Sequence, residues 1–65
     1  MVWDYREVRR EAIRQGWTVE RRTEGEMLKS PDGSKQVMWH ATPSDVNAIR
    51  QFVRRLQKGG FKWPR

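Results

Sequence analysis

Residues 26–39 read EMLKSPDGSKQVMW, and the turn in their middle decides the fold. KQVMW has the β-branched and aromatic character of a strand, and EMLKS is its natural partner across PDGS. Proline presets φ for a type I turn, and Gly33 accepts positive φ. A connection this short joins antiparallel strands, so the stretch predicts a β-hairpin. Two registers are open. A four-residue loop, 31–34, pairs Ser30 with Lys35 and Gly25 with His40. A three-residue PDG loop with a glycine bulge pairs Glu24 with His40 instead. In EMLKS, Met27 and Leu28 point to opposite faces; Leu28 is assigned to the core.

Upstream, WTVERR alternates Trp17 and Val19 with Thr18 and Glu20, the pattern of a half-buried strand, and TEG turns it into EMLKS. Before it, Asp4 and Glu7 have the form of a capping box, and Tyr5, Val8 and Ala12 follow at helical spacing, with Ile13 widening the stripe. Gly16 is a natural stop, so a first helix is expected over residues 4–15. Downstream, TPSD places Thr42 as N-cap, Pro43 at the first helical position and Asp45 completing a capping box. Val46, Ile49, Val53 and Leu56 then form an apolar stripe with Phe52 beside it. Gly59 ends this second helix, and Phe61 is positioned to fold back on its last turn.

The predicted fold is therefore α+β, in the order α-β-β-β-α, with a three-stranded antiparallel sheet. Two amphipathic helices share one core with such a sheet only if both cover the same face. The expected core is Val8, Ala12, Trp17, Val19, Leu28, Val37, Ile49, Val53 and Leu56. The 65 residues make one domain, 1–65. A chain this short buries only about 60% of the surface its unfolded form exposes.

Composition excludes several functions. With no cysteine there is neither a disulfide nor a thiolate metal site, and one histidine is too few for zinc. No metal and no cofactor is expected. No run of about 18 apolar residues is present to span a membrane. MVWDYREVRR lacks the apolar stretch of a signal peptide, so a cytoplasmic protein is expected. No glycine-rich phosphate loop occurs, and nothing links the few serines to His40 as a triad.

The net charge is +6, and its distribution says more than its size. Residues 1–45 carry eight acids and eight bases, which cancel. Residues 46–65 carry Arg50, Arg54, Arg55, Lys58, Lys62 and Arg65 with no acid. Such asymmetry favours a polyanionic partner, above all nucleic acid, although a basic helix face also serves solubility alone. An acidic protein is attracted by the same charges. The candidate phosphate contacts are Arg50, Arg54, Arg55 and Lys58 on the second helix, joined by Lys62. Trp63, between Lys62 and Arg65, is a candidate for stacking on bases; covering the core edge is the competing assignment. Trp17 and Trp39 are most simply core residues, and Trp3 lies near the terminus.

With these pieces in order, the chain resembles the HicA family of small toxins over nearly its whole length. The resemblance is carried by the helix followed by QGW, by TVERR, by LKSPDGSKQV, and by the basic second helix ending in GGF. Small phage-encoded proteins similar to that family share the WHATPSD…RR…GGF pattern. The resemblance implies a double-stranded-RNA-binding-like fold, cleavage of mRNA, and neutralisation by a HicB-type antitoxin that covers the active site. It also implies a catalytic histidine in the second strand, just upstream of the hairpin turn. In the matching region, RTEGEMLKSPDG, that position falls at or next to Gly25, so no catalytic residue carries over directly.

His40 is the only imidazole, and metal-free RNA cleavage needs a base and an acid that titrate near neutral pH. In either hairpin register it lies across from, or one residue from, the position the family gives its histidine, which makes His40 the catalytic candidate. The structural alternative is a hydrogen bond from His40 to Glu24 or Glu26, or a role in starting the second helix. Three functions follow. The first is a HicA-like toxin domain that binds RNA through the second helix, with or without cleavage. The second is a catalytically inactive module for an antitoxin or host protein. The third is a DNA-binding regulator, against which the missing helix-turn-helix pair counts.

Overall fold

The computed structural model describes residues 4–42 and 44–63. The chain runs α1 (Tyr5–Arg14), β1 (Thr18–Arg22), β2 (Gly25–Lys29), β3 (Gln36–Trp39) and α2 (Val46–Lys58), the α-β-β-β-α order expected. The strands form one antiparallel sheet in the order β1-β2-β3. Both helices cover the same face. Trp39 of β3 stacks in parallel on Tyr5 of α1, centroids 4.4 Å apart, and meets Phe52 of α2 at 5.1 Å. Eight of the nine residues expected in the core are buried, and Val19 is partly buried against them. Tyr5, Trp39, Phe52, Phe61 and Trp63 complete the core. Ile13 and Val46, placed on the apolar stripes by spacing, are instead 45% and 41% exposed. Each lies at the margin of its helix's apolar face, where the small sheet no longer covers it.

The helix ends explain the element boundaries. Gly16 has φ 102°, the Trp17 N–H donates to the Ala12 carbonyl (2.9 Å), and the Gly16 N–H donates to Ile13 (3.0 Å). This is a Schellman end. It takes up the Trp17 amide, so β1 begins at Thr18 rather than Trp17. α2 ends the same way. Gly60 has φ 101°, the Phe61 N–H donates to Leu56 (3.1 Å), and the Gly60 N–H donates to Gln57 (3.1 Å). Gly60, not Gly59, therefore supplies the left-handed residue. Gly59 has a different role: a Cβ there would lie 2.8 Å from the Trp17 ring and 3.1 Å from the Lys35 side chain.

The helix starts differ in detail from expectation. Asp4 caps α1 through the Arg6 N–H (2.8 Å), while the Glu7 N–H goes to the Asp4 carbonyl. The N-cap of α2 is Asp45, which accepts from the Ala48 N–H at 3.1 Å, and not Thr42. The Thr42 carbonyl accepts the Asp45 N–H in a separate turn before the helix. Pro43, Trp3 and Arg65 lie outside the described residues.

The hairpin adopts the four-residue loop. The Ser30 N–H donates to the Lys35 carbonyl (2.9 Å), and the Gly33 N–H, at φ 77°, donates back to Ser30 (2.9 Å). Asp32 organises the loop by accepting from the Ser34 N–H and from the Ser30 and Ser34 hydroxyls. These donors hold its carboxyl at about 2, below an ordinary 3.8, the Ser34 N–H contributing most. The first turn is just Thr23–Glu24, because Arg22 pairs with Gly25. β2 is thus shifted one residue towards the N-terminus of the predicted EMLKS.

Candidate nucleic-acid interface

α2 turns Ile49, Phe52, Val53 and Leu56 into the core, which leaves Arg50, Arg54, Arg55 and Lys58 exposed. Arg50, Arg54 and Lys58 recur at four-residue spacing and form one row, with Arg55 beside it. Like charges at that spacing destabilise a helix by about 0.2–0.5 kcal/mol per pair. Three of the four arginines of α1 are treated differently; Arg10 is exposed and, among the described residues, has no carboxylate partner. Arg6 lies near Asp4 (3.6 Å), Arg9 pairs with Glu26 (2.9 Å) and Arg14 with Glu11 (2.6 Å). Among the described residues, Arg54, Arg55 and Lys58 have no carboxylate partner.

A shallow groove runs between α2 and the outer edge of β3. One half, about 240 Å³, is lined by Lys35, Gln36, Val37, Met38, Arg55 and Lys58. The other, about 230 Å³, is lined by residues 38–41 together with Ala48, Gln51, Phe52 and Arg55. Met38 and Arg55 line both, so the two depressions adjoin along α2 and β3. Lys35 was not a sequence candidate, because it sits in the charge-balanced part of the chain. Its proximity to Gly59 is the tertiary feature that brings it beside the end of α2.

His40 follows the last residue of β3, is exposed, and lines the outer half of the groove. The register Glu26↔Trp39 sets it opposite Gly25. Its Cα is 3.1 Å from where a Gly25 Cβ would stand, and that Cβ would also lie 1.9 Å from the Trp39 carbonyl oxygen. On this backbone, Gly25 has no room for a histidine. Neither expected carboxylate partner is bonded to His40. Glu26 lies across from Trp39, whose ring faces the helices, and accepts from the Tyr5 hydroxyl and from Arg9 Nε at 2.9 Å. Burial, and then the Glu26 carboxylate, push the Tyr5 hydroxyl well above its ordinary pKa. Among the described residues, His40 makes no side-chain hydrogen bond.

Two terminal candidates separate from the rest. Trp63 is 9% exposed and stacks on Phe61, centroids 6.0 Å apart at 13°. Its ring packs with the core, in line with the core-edge assignment; the apolar area gained by covering Phe61 outweighs exposure to solvent. Lys62 is exposed, but its backbone is clasped by the Gln15 side chain, with bonds of 2.9 Å in each direction, at the C-terminal end of α1. Among the described residues, no three histidine, cysteine, aspartate or glutamate side chains gather where they could hold a metal ion. No described helix is long and apolar enough to cross a membrane. Comparison with protein-family models, with curated proteins and with solved structures gave no match.

Proposed function

We propose that this chain is an RNA-binding domain of HicA-like type, with α2 as the phosphate-contacting element. The observation that carries the reading is the contrast between the helices. Arg6, Arg9 and Arg14 of α1 lie against carboxylates, Arg10 being the exception, whereas α2 presents Arg54, Arg55 and Lys58 without one among the described residues. The repulsion among Arg54, Arg55 and Lys58 is relieved by an anion, and a polyphosphate backbone supplies several at once. The sequence resemblance to HicA toxins favours RNA over DNA. A cysteine-free chain that acts on RNA fits the cytoplasm.

The reading is of binding. Cleavage by the family's route would need a histidine at or next to Gly25, and among the described residues His40 has no second acid or base bonded to it. The test is anisotropy of a labelled single-stranded RNA titrated with the full chain over a range of salt. Affinity should fall with salt, with a log–log slope of about −0.7 per phosphate neutralised. Replacing Arg50, Arg54 and Arg55 with alanine should lower both affinity and slope, by about two units of slope, with an unchanged circular dichroism spectrum. Unchanged RNA binding by that variant would refute the proposal. Equal or tighter binding to duplex DNA of the same length would favour the DNA-binding alternative.

A further inference from the structure

The two edges of the sheet are built differently. The β1 edge carries Glu20, Arg21 and Arg22, the kind of charge that ordinarily guards an exposed strand. β3, Gln36–Trp39, carries none. Its outer backbone is open to pairing by the alternation of the ladder. The Ser30 N–H bond to Lys35 makes that pair a hydrogen-bonded one, so Leu28↔Val37 and Glu26↔Trp39 are too. The N–H and C=O groups of Gln36 and Met38 therefore face away from β2, and among the described residues no strand lies beyond β3. The groove lies at this edge and not on a face, since its lining takes the consecutive residues 35–38, whose side chains alternate between faces.

We propose that the β3 edge binds an extended acidic segment of a partner protein, added to the sheet as a fourth strand. Charge selects the occupant. Among the described residues the groove is lined by Lys35, Arg55 and Lys58 and by no carboxylate, so side chains that point from the added strand towards α2 are acidic. Side chains on its other face lie beside Met38 and are neutral. A second copy of this chain is the poorer occupant, because edge-to-edge pairing brings the same three cations together. Backbone bonds supply the register, and the acid-cation contacts supply selectivity.

The probe is a blocked seven-residue peptide of alternating threonine and glutamate, titrated against the full chain by NMR. At saturation, hydrogen exchange at the Gln36 and Met38 amides should slow at least tenfold, with the already bonded Val37 and Trp39 amides little changed. The same peptide N-methylated at alternate residues keeps its charge but loses its donors, and should bind at least tenfold more weakly. Arg55→Glu with Lys58→Glu should abolish binding of the acidic peptide and admit a threonine-lysine peptide. Arg54→Ala, outside the groove lining, should weaken RNA and leave the peptide unaffected, which separates this inference from the RNA reading. Equal binding by the N-methylated peptide would overturn it, as would saturation without amide protection. Protection produced by a uridine decamer but not by the peptide would assign the groove to nucleic acid. Concentration-dependent protection without any peptide would assign it to self-association.

Discussion

The rings of Trp17 and Phe61 meet edge to face, with centroids 6.3 Å apart at an interplanar angle of 86°. Each is the residue that follows the positive-φ glycine ending a helix, Gly16 for α1 and Gly60 for α2. The two Schellman ends thus aim their first non-helical side chains at each other, and that contact locks the helix ends together over the sheet. Phe61→Ala should destabilise the domain by about 3–5 kcal/mol. A chain of this length has a total stability of only about 3–10 kcal/mol, so this variant should be largely unfolded or close to it. Phe61→Leu and Trp17→Leu are the milder pair. Urea unfolding of both singles and the double should return a coupling of about 0.5–1.5 kcal/mol for the aromatic contact. Additive single effects would show that the rings only fill volume.

Gly25 and Gly60 should respond differently to alanine, though both are glycines at positive φ. At Gly60 nothing lies within 4 Å of the added Cβ, so only backbone strain is introduced, about 1–2 kcal/mol. At Gly25 the Cβ would stand 1.9 Å from the Trp39 oxygen, so β2 and β3 must separate. The expected loss is about 3 kcal/mol or more, the upper range for strain and overpacking. Gly25→His should therefore unfold the hairpin rather than create an active site. Thermal melts of the three variants check the order, and a Gly25→His protein as stable as the parent would contradict it.

Asp32 should make the hairpin acid-sensitive. Its carboxyl is depressed in the folded chain to about 2 from an ordinary 3.8, so the folded form prefers the carboxylate. Its stabilisation is complete above about pH 4 and is lost as pH falls towards 2. The Ser34 amide resonance should shift through that interval, and Asp32→Asn should flatten the local response. A Ser34 titration midpoint at or above 4 would contradict the loop geometry.

His40→Ala should leave stability within about 0.5 kcal/mol of the parent, because the side chain is exposed and makes no hydrogen bond among the described residues. RNA affinity should fall by less than about threefold, since the phosphate contacts come from α2. Incubation with labelled RNA between pH 5 and 8 should yield no cleavage by either protein. Cleavage by the parent that His40→Ala loses would restore His40 as a catalyst.

Local chemistry determined the elements. Gly16, the PDGS turn and the spacing of Ile49, Val53 and Leu56 each act within a few residues, so the α-β-β-β-α order and most of the core were legible in the chain. The concentration of positive charge after residue 45 was legible for the same reason. What depended on distant partners was not. The two hairpin registers differ by one residue, and the Ser30–Lys35 bond with the Asp32 cluster selects between them, placing Gly25 against His40. Thr42 and Asp45 are both good caps by residue type, and only the path of the chain into α2 decides for Asp45. Trp63 in a basic tail has the composition of a base-stacking residue. Phe61 beneath it and the Gln15–Lys62 clasp beside it draw it into the core. The groove along β3 needs Lys35, Arg55 and Lys58 from segments 20 residues and more apart, and only the folded sheet brings those charges to one edge.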